Sequence, residues 1–178
     1  MKKIVLLSAG LTVLDQGLKL LIANNFMGNT VVLIPGVLQF RPVQNSQLTW
    51  IASMLDFQTP VIPMIIVQLL LFVFVTLFYR YSIYLPGKHK GLMSGYLAAL
   101  TAGICCSFID VVFWGGSIDF LRLFDWFTFD LKDVYLFAGS VFLIAYYIFY
   151  IPVYIGLSKE ERNERKLFQW IKRGCPLR

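Results

Sequence analysis

Four long apolar runs organise this chain, at about residues 4–26, 61–79, 92–113 and 134–157, each close to the roughly 20 residues a helix needs to cross a bilayer. The first follows Lys2 and Lys3 but is too long for the core of a secretory signal. It also lacks a small-residue cleavage pattern and carries Asp15 and Lys19 within it, so it reads as a retained transmembrane helix. Those two charges are four residues apart with the acid first, the order that pairs them on one helix face. Between the first and second runs the pattern changes to short alternating segments. Thr30–Ile34 and Val37–Val43 flank Pro35-Gly36, predicting two strands around a turn in an extramembrane region of about 27–60. Trp50, Ile51, Met54, Leu55 and Phe57 then suit an interfacial segment or lid. The expected fold is an all-α membrane protein: a single four-helix bundle over 1–178 with a small extracytoplasmic β hairpin or sheet. A basic amphipathic helix in the tail, 158–178, completes it.

Composition agrees with the pattern. Of the 178 residues 58% are hydrophobic and 16% aromatic, which excludes an ordinary soluble domain of this size. The net charge of +6 could point to nucleic acid, but the basic residues flank the apolar runs, where anionic lipid is the better partner. Lys2, Lys3, Arg80, Lys88, Lys90, Lys159, Arg162, Arg165, Lys166, Lys172, Arg173 and Arg178, 12 of the 16 basic residues, fall on one side of a four-span arrangement. Both termini are therefore expected in the cytoplasm. Small residues in the third run (Ser94, Gly95, Ala98, Ala99, Ala102, Gly103) would let neighbouring helices approach closely. Cys105 and Cys106 are adjacent and Cys175 lies in the tail, so no disulfide framework is implied. His89 stands between lysines without an acidic neighbour and reads as solvated, leaving no basis for a histidine triad.

The chemistry lies between the third and fourth runs, where Asp110, Asp119, Asp125, Asp130 and Asp133 crowd one short connection. Antiparallel neighbouring helices bring the ends of such a connection together, so Asp119 and Asp133 can meet on one membrane face. Two carboxylates that meet near hydrocarbon share a proton, giving an acid and a base at neutral pH. Spacing alone leaves other readings open: solvated or structural acids, or a transporter pathway, although acids gathered at one face do not line a path across the midplane.

The order of motifs resembles that of the lipoprotein signal peptidase (signal peptidase II) family. The resemblance begins at Asp15, Gln16 and Lys19, runs through GNTVVLIPGVLQF to Asn45, and resumes at Asp110, at Gly115 to Phe120 and at Phe129 to Asp133, with Gly139 beyond. Gly115–Phe120 is similar to the family's Gly-x-x-Val-Asp-Phe, and FDLKD to its Phe-Asn-x-Ala-Asp. The resemblance implies an intramembrane aspartyl endopeptidase of the bacterial plasma membrane that removes signal peptides from lipid-modified prolipoproteins, cutting before the diacylglyceryl-cysteine. Asp119 and Asp133 would be catalytic. Asn45, Asp110, Asp130 and Ser107 would orient substrate or dyad, while Asp15 and Lys19 would support the fold. No metal or organic cofactor is implied. The expected partners are lipidated prolipoprotein and membrane lipid, with no nucleic acid and the chain acting as a monomer. The alternative is a catalytically inactive relative that binds lipidated peptides or serves as a membrane scaffold. Three departures mark the chain as divergent. CSFIDV stands for Gly-Asn-x-x-Asp-Arg, so Val111 replaces an arginine and Arg122 or Lys132 is left to supply a cation. NSQLTW stands for Asn-x-Gly-Ala-Ala-Phe, keeping Asn45 and an aromatic, Trp50. Asp130 replaces an asparagine, adding a carboxylate that should raise the proton affinity of its neighbours.

Overall fold

The computed structural model describes residues 2–46, 60–85, 90–164 and 166–175; the Trp50 segment read as a lid and His89 lie outside them. Among the described residues four helices are long and apolar enough to span a bilayer: α1 (Lys2–Asn25), α2 (Val61–Tyr84), α3 (Lys90–Ile109) and α4 (Leu131–Ile155). The sequence-predicted class, a helical membrane bundle with a small sheet, is the architecture observed. The centre of the bundle is α3, which packs against the other three. Half of its apolar window is buried, against 11–22% for its neighbours, which turn their Leu, Ile, Val and Phe outward to lipid.

Small residues account for that central place. Gly103 receives the Leu136 side chain and Gly139 receives Leu100, so α3 and α4 exchange leucines into each other's glycine notches. A Cβ at Gly103 would come within 2.6 Å of Leu136 and one at Gly139 within 2.5 Å of Leu100. On α1 the buried positions are Ser8, Asp15, Lys19 and Ile22, a stripe at helical spacing. Ser8 donates its hydroxyl to the Ala98 carbonyl of α3, and the two charges of the stripe lie about two and three turns above that contact.

Strands β1 (Val31–Ile34), β2 (Leu38–Asn45), β3 (Ser117–Leu123) and β4 (Phe127–Phe129) form one antiparallel sheet in sequence order. The first pair is the hairpin expected around Pro35-Gly36. The second lies inside the acid-rich stretch, which the sequence pattern presented as a plain connection. Its turn residues Phe124 and Asp125 both have positive φ (49° and 60°), as a type I′ hairpin requires. Arg122 ties this turn down through Asp125, donating to its carbonyl and pairing with its carboxylate. In β2 the register slips between Phe40 and Val43, placing Pro42, which has no N–H to give, at the irregularity.

The tail forms two short helices, α5 (Lys159–Glu164) and α6 (Leu167–Lys172). Trp170 is buried edge-on to Tyr81 of α2, and Arg80 donates to the Cys175 carbonyl. Leu167, Phe168 and Ile171 remain exposed, the apolar face of an amphipathic segment.

The glycine notches give a direct test of the bundle. Gly139→Val is expected to cost about 1–3 kcal/mol through overpacking against Leu100, lowering the thermal denaturation midpoint in detergent. Gly17→Val, where a Cβ meets nothing within 4 Å, should leave that midpoint in place.

Candidate active site

Local structure brings the acids together from four directions. On α1, Asp15, Gln16 and Lys19 point into the bundle from adjacent turns. Lys19 Nζ lies 2.9 Å from Asp15, the intrahelical pair expected from spacing. The same ammonium is also 2.6 Å from Asp110 and 2.6 Å from Asp130, so one fully buried lysine serves three carboxylates. At the end of α3 the helix widens into a π turn over Asp110–Trp114. Asp110 and Trp114, four apart on this wider spiral, both reach Gln16: its amide donates to Asp110 Oδ1 at 3.0 Å and its carbonyl accepts from the Trp114 indole at 3.0 Å. Trp114 therefore belongs to this polar network, whereas Trp126 is exposed.

The chain leaves the π turn through Gly115 (φ 63°) and Gly116 (φ 156°). A side chain at Gly116 would strike the Asn45 carbonyl at 2.5 Å, so the second glycine is what allows β3 to lie against the end of β2. There Asn45 pairs with Ser117 and Val43 with Asp119. Strand alternation does the rest. Ile118 and Phe120 face α1 in a cluster with Ile22 and Phe40, which turns Ser117 and Asp119 to the opposite side. Asn45 donates to Asp119 Oδ2 at 3.2 Å, while Asp119 Oδ1 is buried and takes no hydrogen bond among the described residues.

The fourth direction is the start of α4. Asp130 is its N-cap and Asp133 its third residue, and they form a reciprocal capping box with both N–H to carboxylate distances at 3.2 Å. One oxygen of Asp133 is thereby fixed to the helix terminus, whose partial positive charge favours anions. Carboxylate oxygens of Asp119, Asp130 and Asp133 come within 4.8 Å of one another. Lysine ammonium groups supply the positive charge among them. Lys132 Nζ contacts Asp130 and Ser117 Oγ (2.6 Å), lies 3.3 Å from Asp110 and reaches within 3.7 Å of Asp119. Arg122, the other candidate for this cation, stays at the hairpin with Asp125.

Asp110, Ser117, Asp119, Lys132 and Asp133 line a cavity of about 310 Å³ that also touches Asn45, Ser107, Val111 and Phe129. Ser107 accepts a hydrogen bond from the buried Gln68 of α2 at 2.8 Å, so the second helix reaches the site as well. Two of the acids outside the membrane-spanning helices are shifted in opposite directions. Burial pushes the Asp119 carboxyl above the usual carboxylate range, with Lys132 working against it and Asp130 adding to it. Burial acts on Asp130 too, but Lys132 and Lys19 overcome it and hold that carboxyl below the usual range. The added carboxylate is therefore ionised and absorbed by lysine.

Fold and site define a polytopic membrane protein with a carboxylate pair in a lined cavity at one end of its bundle. The chain belongs to the signal peptidase (SPase) II family, whose pattern it matches over residues 7–149. This is a peptidase family of the aspartic type that processes lipoprotein signal peptides in bacterial membranes. Two solved structures, each described as a bacterial membrane enzyme determined by the in meso method, share the fold. The one at 2.3 Å resolution has a TM-score of 0.68 at 20% identity, covering 83% of this chain and 88% of its own. The one at 1.9 Å has a TM-score of 0.67 at 21% identity, covering 82% and 92%. No curated protein matches the chain significantly.

Lys132 and Gln16 are the site residues that spacing undervalued. A readable signal existed for the first, since D-x-x-D just before an apolar run marks a helix N-terminus and anything inside that motif sits at the cap. The opposed shifts yield a test. The contribution of Asp130 is present above its unfolded value of 3.8 and is lost as pH falls through its lower folded value. Asp130→Asn keeps the cap but not the charge. It should lower stability at neutral pH, toward the low end of the roughly 3–5 kcal/mol for breaking a buried pair. Its stability should also fall less than the wild type's on acidification below about pH 4, as read by chemical denaturation in micelles.

Proposed function

We propose that this chain is an aspartyl endopeptidase that cuts lipid-modified prolipoproteins before the diacylglyceryl-cysteine, with Asp119 and Asp133 acting on one water. The observation that carries the reading is the placement of the two carboxylates, with oxygens within 4.8 Å and both side chains lining the same cavity. At that separation both cannot ionise cheaply, so one holds a proton that the other lacks. The ionised member takes a proton from water as it attacks the scissile carbonyl, and the protonated member gives its own to the carbonyl oxygen. Asn45 orients the dyad through Asp119 Oδ2, and Asp110 and Asp130 hold the lysines in place. Ser107 is in reach of a peptide in the cavity, and Asp15 with Lys19 anchors the first helix beneath it.

The basic residues beside the opposite ends of the spans support cytoplasmic termini and a site at the outer leaflet. Substrate then arrives laterally, its acyl chains already in the bilayer, with the peptide bond at headgroup depth.

Asp119→Asn and Asp133→Asn are each expected to reduce cleavage of a diacylglyceryl-prolipoprotein in proteoliposomes by about 10²–10⁴-fold, with insertion and thermal stability retained. Undiminished cleavage by both variants would overturn the dyad. Tight binding of the lipidated peptide without cleavage by the wild type would favour the inactive relative.

A further inference from the structure

The dyad reading leaves open which carboxylate keeps the proton, and the surroundings of the two are unequal. Asp119 has Asn45 on Oδ2, while its Oδ1, buried and without a hydrogen bond among the described residues, has the Lys132 ammonium 3.7 Å away. Asp133 makes no direct ion pair with Lys132 among the described residues, although the same ammonium acts on it through space, and its Oδ2 is engaged in the helix cap. Lys19 cannot substitute, because it is fully buried below and divided among Asp15, Asp110 and Asp130. Lys132 is also held from behind: Ser117 Oγ and Asp130 grip its Nζ, and Asp110 sits 3.3 Å away. An ammonium with this many contacts is a fixed charge, and the open side of it meets the cavity beside Asp119.

We propose that Lys132 is a positioning residue for the cleavage reaction, its ammonium keeping Asp119 ionised as the base and leaving the shared proton on Asp133. The proposal rests on the dyad reading. In the attack step the water oxygen bonds the scissile carbon and its proton passes to Asp119, while the proton of Asp133 moves to the carbonyl oxygen. In collapse the C–N bond breaks, the leaving nitrogen takes the proton from Asp119, and the diol returns one to Asp133. Every element around the pair contributes to the balance. The first helix brings Asp15 and Lys19, the π turn Asp110, the strand β3 Asp119, the start of α4 Asp130, Lys132 and Asp133, and β2 the neutral Asn45. Lys132 is the cation among these that reaches Asp119 directly.

The test is the pH dependence of kcat/KM for cleavage of a synthetic diacylglyceryl-prolipoprotein by the full chain in proteoliposomes. In Lys132→Met, which keeps the stem and removes the charge, the acid limb should move up by about one pH unit or more, since an opposite charge at this range lowers a carboxyl by about 1–3. On the limb this is a loss of about tenfold that recovers as pH rises, and Lys132→Arg should retain the wild-type limb. A merely structural lysine would lower the rate equally at all pH and leave the limb in place, and that result overturns the proposal. Should Lys132→Met fail to fold, Ser117→Ala, which loosens the ammonium without altering charge, should move the limb the same way by a smaller amount; an unmoved limb there overturns it equally. Asp119→Asn separates the two readings. If that variant still cleaves, the dyad itself is wrong; if it is inactive and the limb of the Lys132 variants is unmoved, only the role of Lys132 falls.

Discussion

Five carboxylates and two lysines packed into one end of a membrane bundle form the constraint that shapes this molecule. An isolated ion taken from water into such surroundings costs several kcal/mol even after relaxation, so each of these groups is tolerable only with its partners in place. Lys19 joins Asp15, Asp110 and Asp130; Lys132 joins Asp110, Asp119 and Asp130. Removing any one element therefore leaves charges stranded on the others. The network couples α1, the π turn, the sheet and the start of α4 in a way that apolar packing alone cannot, because in lipid the hydrophobic effect gives helices little reason to associate.

Several backbone features follow from the need to deliver these side chains to one place. The π turn lets two residues of α3 reach one glutamine of α1, and the glycine pair after it lets β3 lie close to the end of β2. The capping box fixes Asp133 and at the same time satisfies backbone N–H groups at the start of α4. Asp130 has two roles that a single substitution can separate, a cap for the helix and a counter-ion for both lysines. The Lys132 backbone N–H donates to Asp15 at 3.1 Å, so even the main chain at the start of α4 is tied to the first helix.

Much of this was legible in the sequence, and what was not has definite causes. Apolar runs longer than 18 residues identify spans with little ambiguity, and the glycines of the third run foretold a close helix contact. The Asp15–Lys19 pair followed from i,i+4 spacing, but its extension to Asp110 and Asp130 is tertiary and has no local signature. The β3–β4 hairpin was missed because its turn is Phe124-Asp125, and positive φ is expected of Asn-Gly, not of a bulky aromatic. Lys132 looked like one of two equal candidates for a missing cation. Only the antiparallel register of β3 and the cap of α4 set it near Asp119 and leave Arg122 at the turn with Asp125.

The departures from the family pattern are easier to understand together than singly. Val111 is an apolar residue in a cavity wall where a cation is expected, Lys132 is a cation where a small residue is expected, and Asp130 is an acid where an amide is expected. Taken alone, each would unbalance the site: a lost positive charge, a buried ammonium without a counter-ion, and a third carboxylate beside a pair. In the folded chain the ammonium of Lys132 lies against Asp130 and within reach of Asp119, so the local charge is restored from a different direction. The same ammonium cannot form the planar, two-pronged contacts of a guanidinium, and it enters from the base of α4 and not from the end of α3. The wall at Val111 is correspondingly left apolar, between the polar Ser107 and Asp110 of the same segment and the charge brought by Lys132 from the other side.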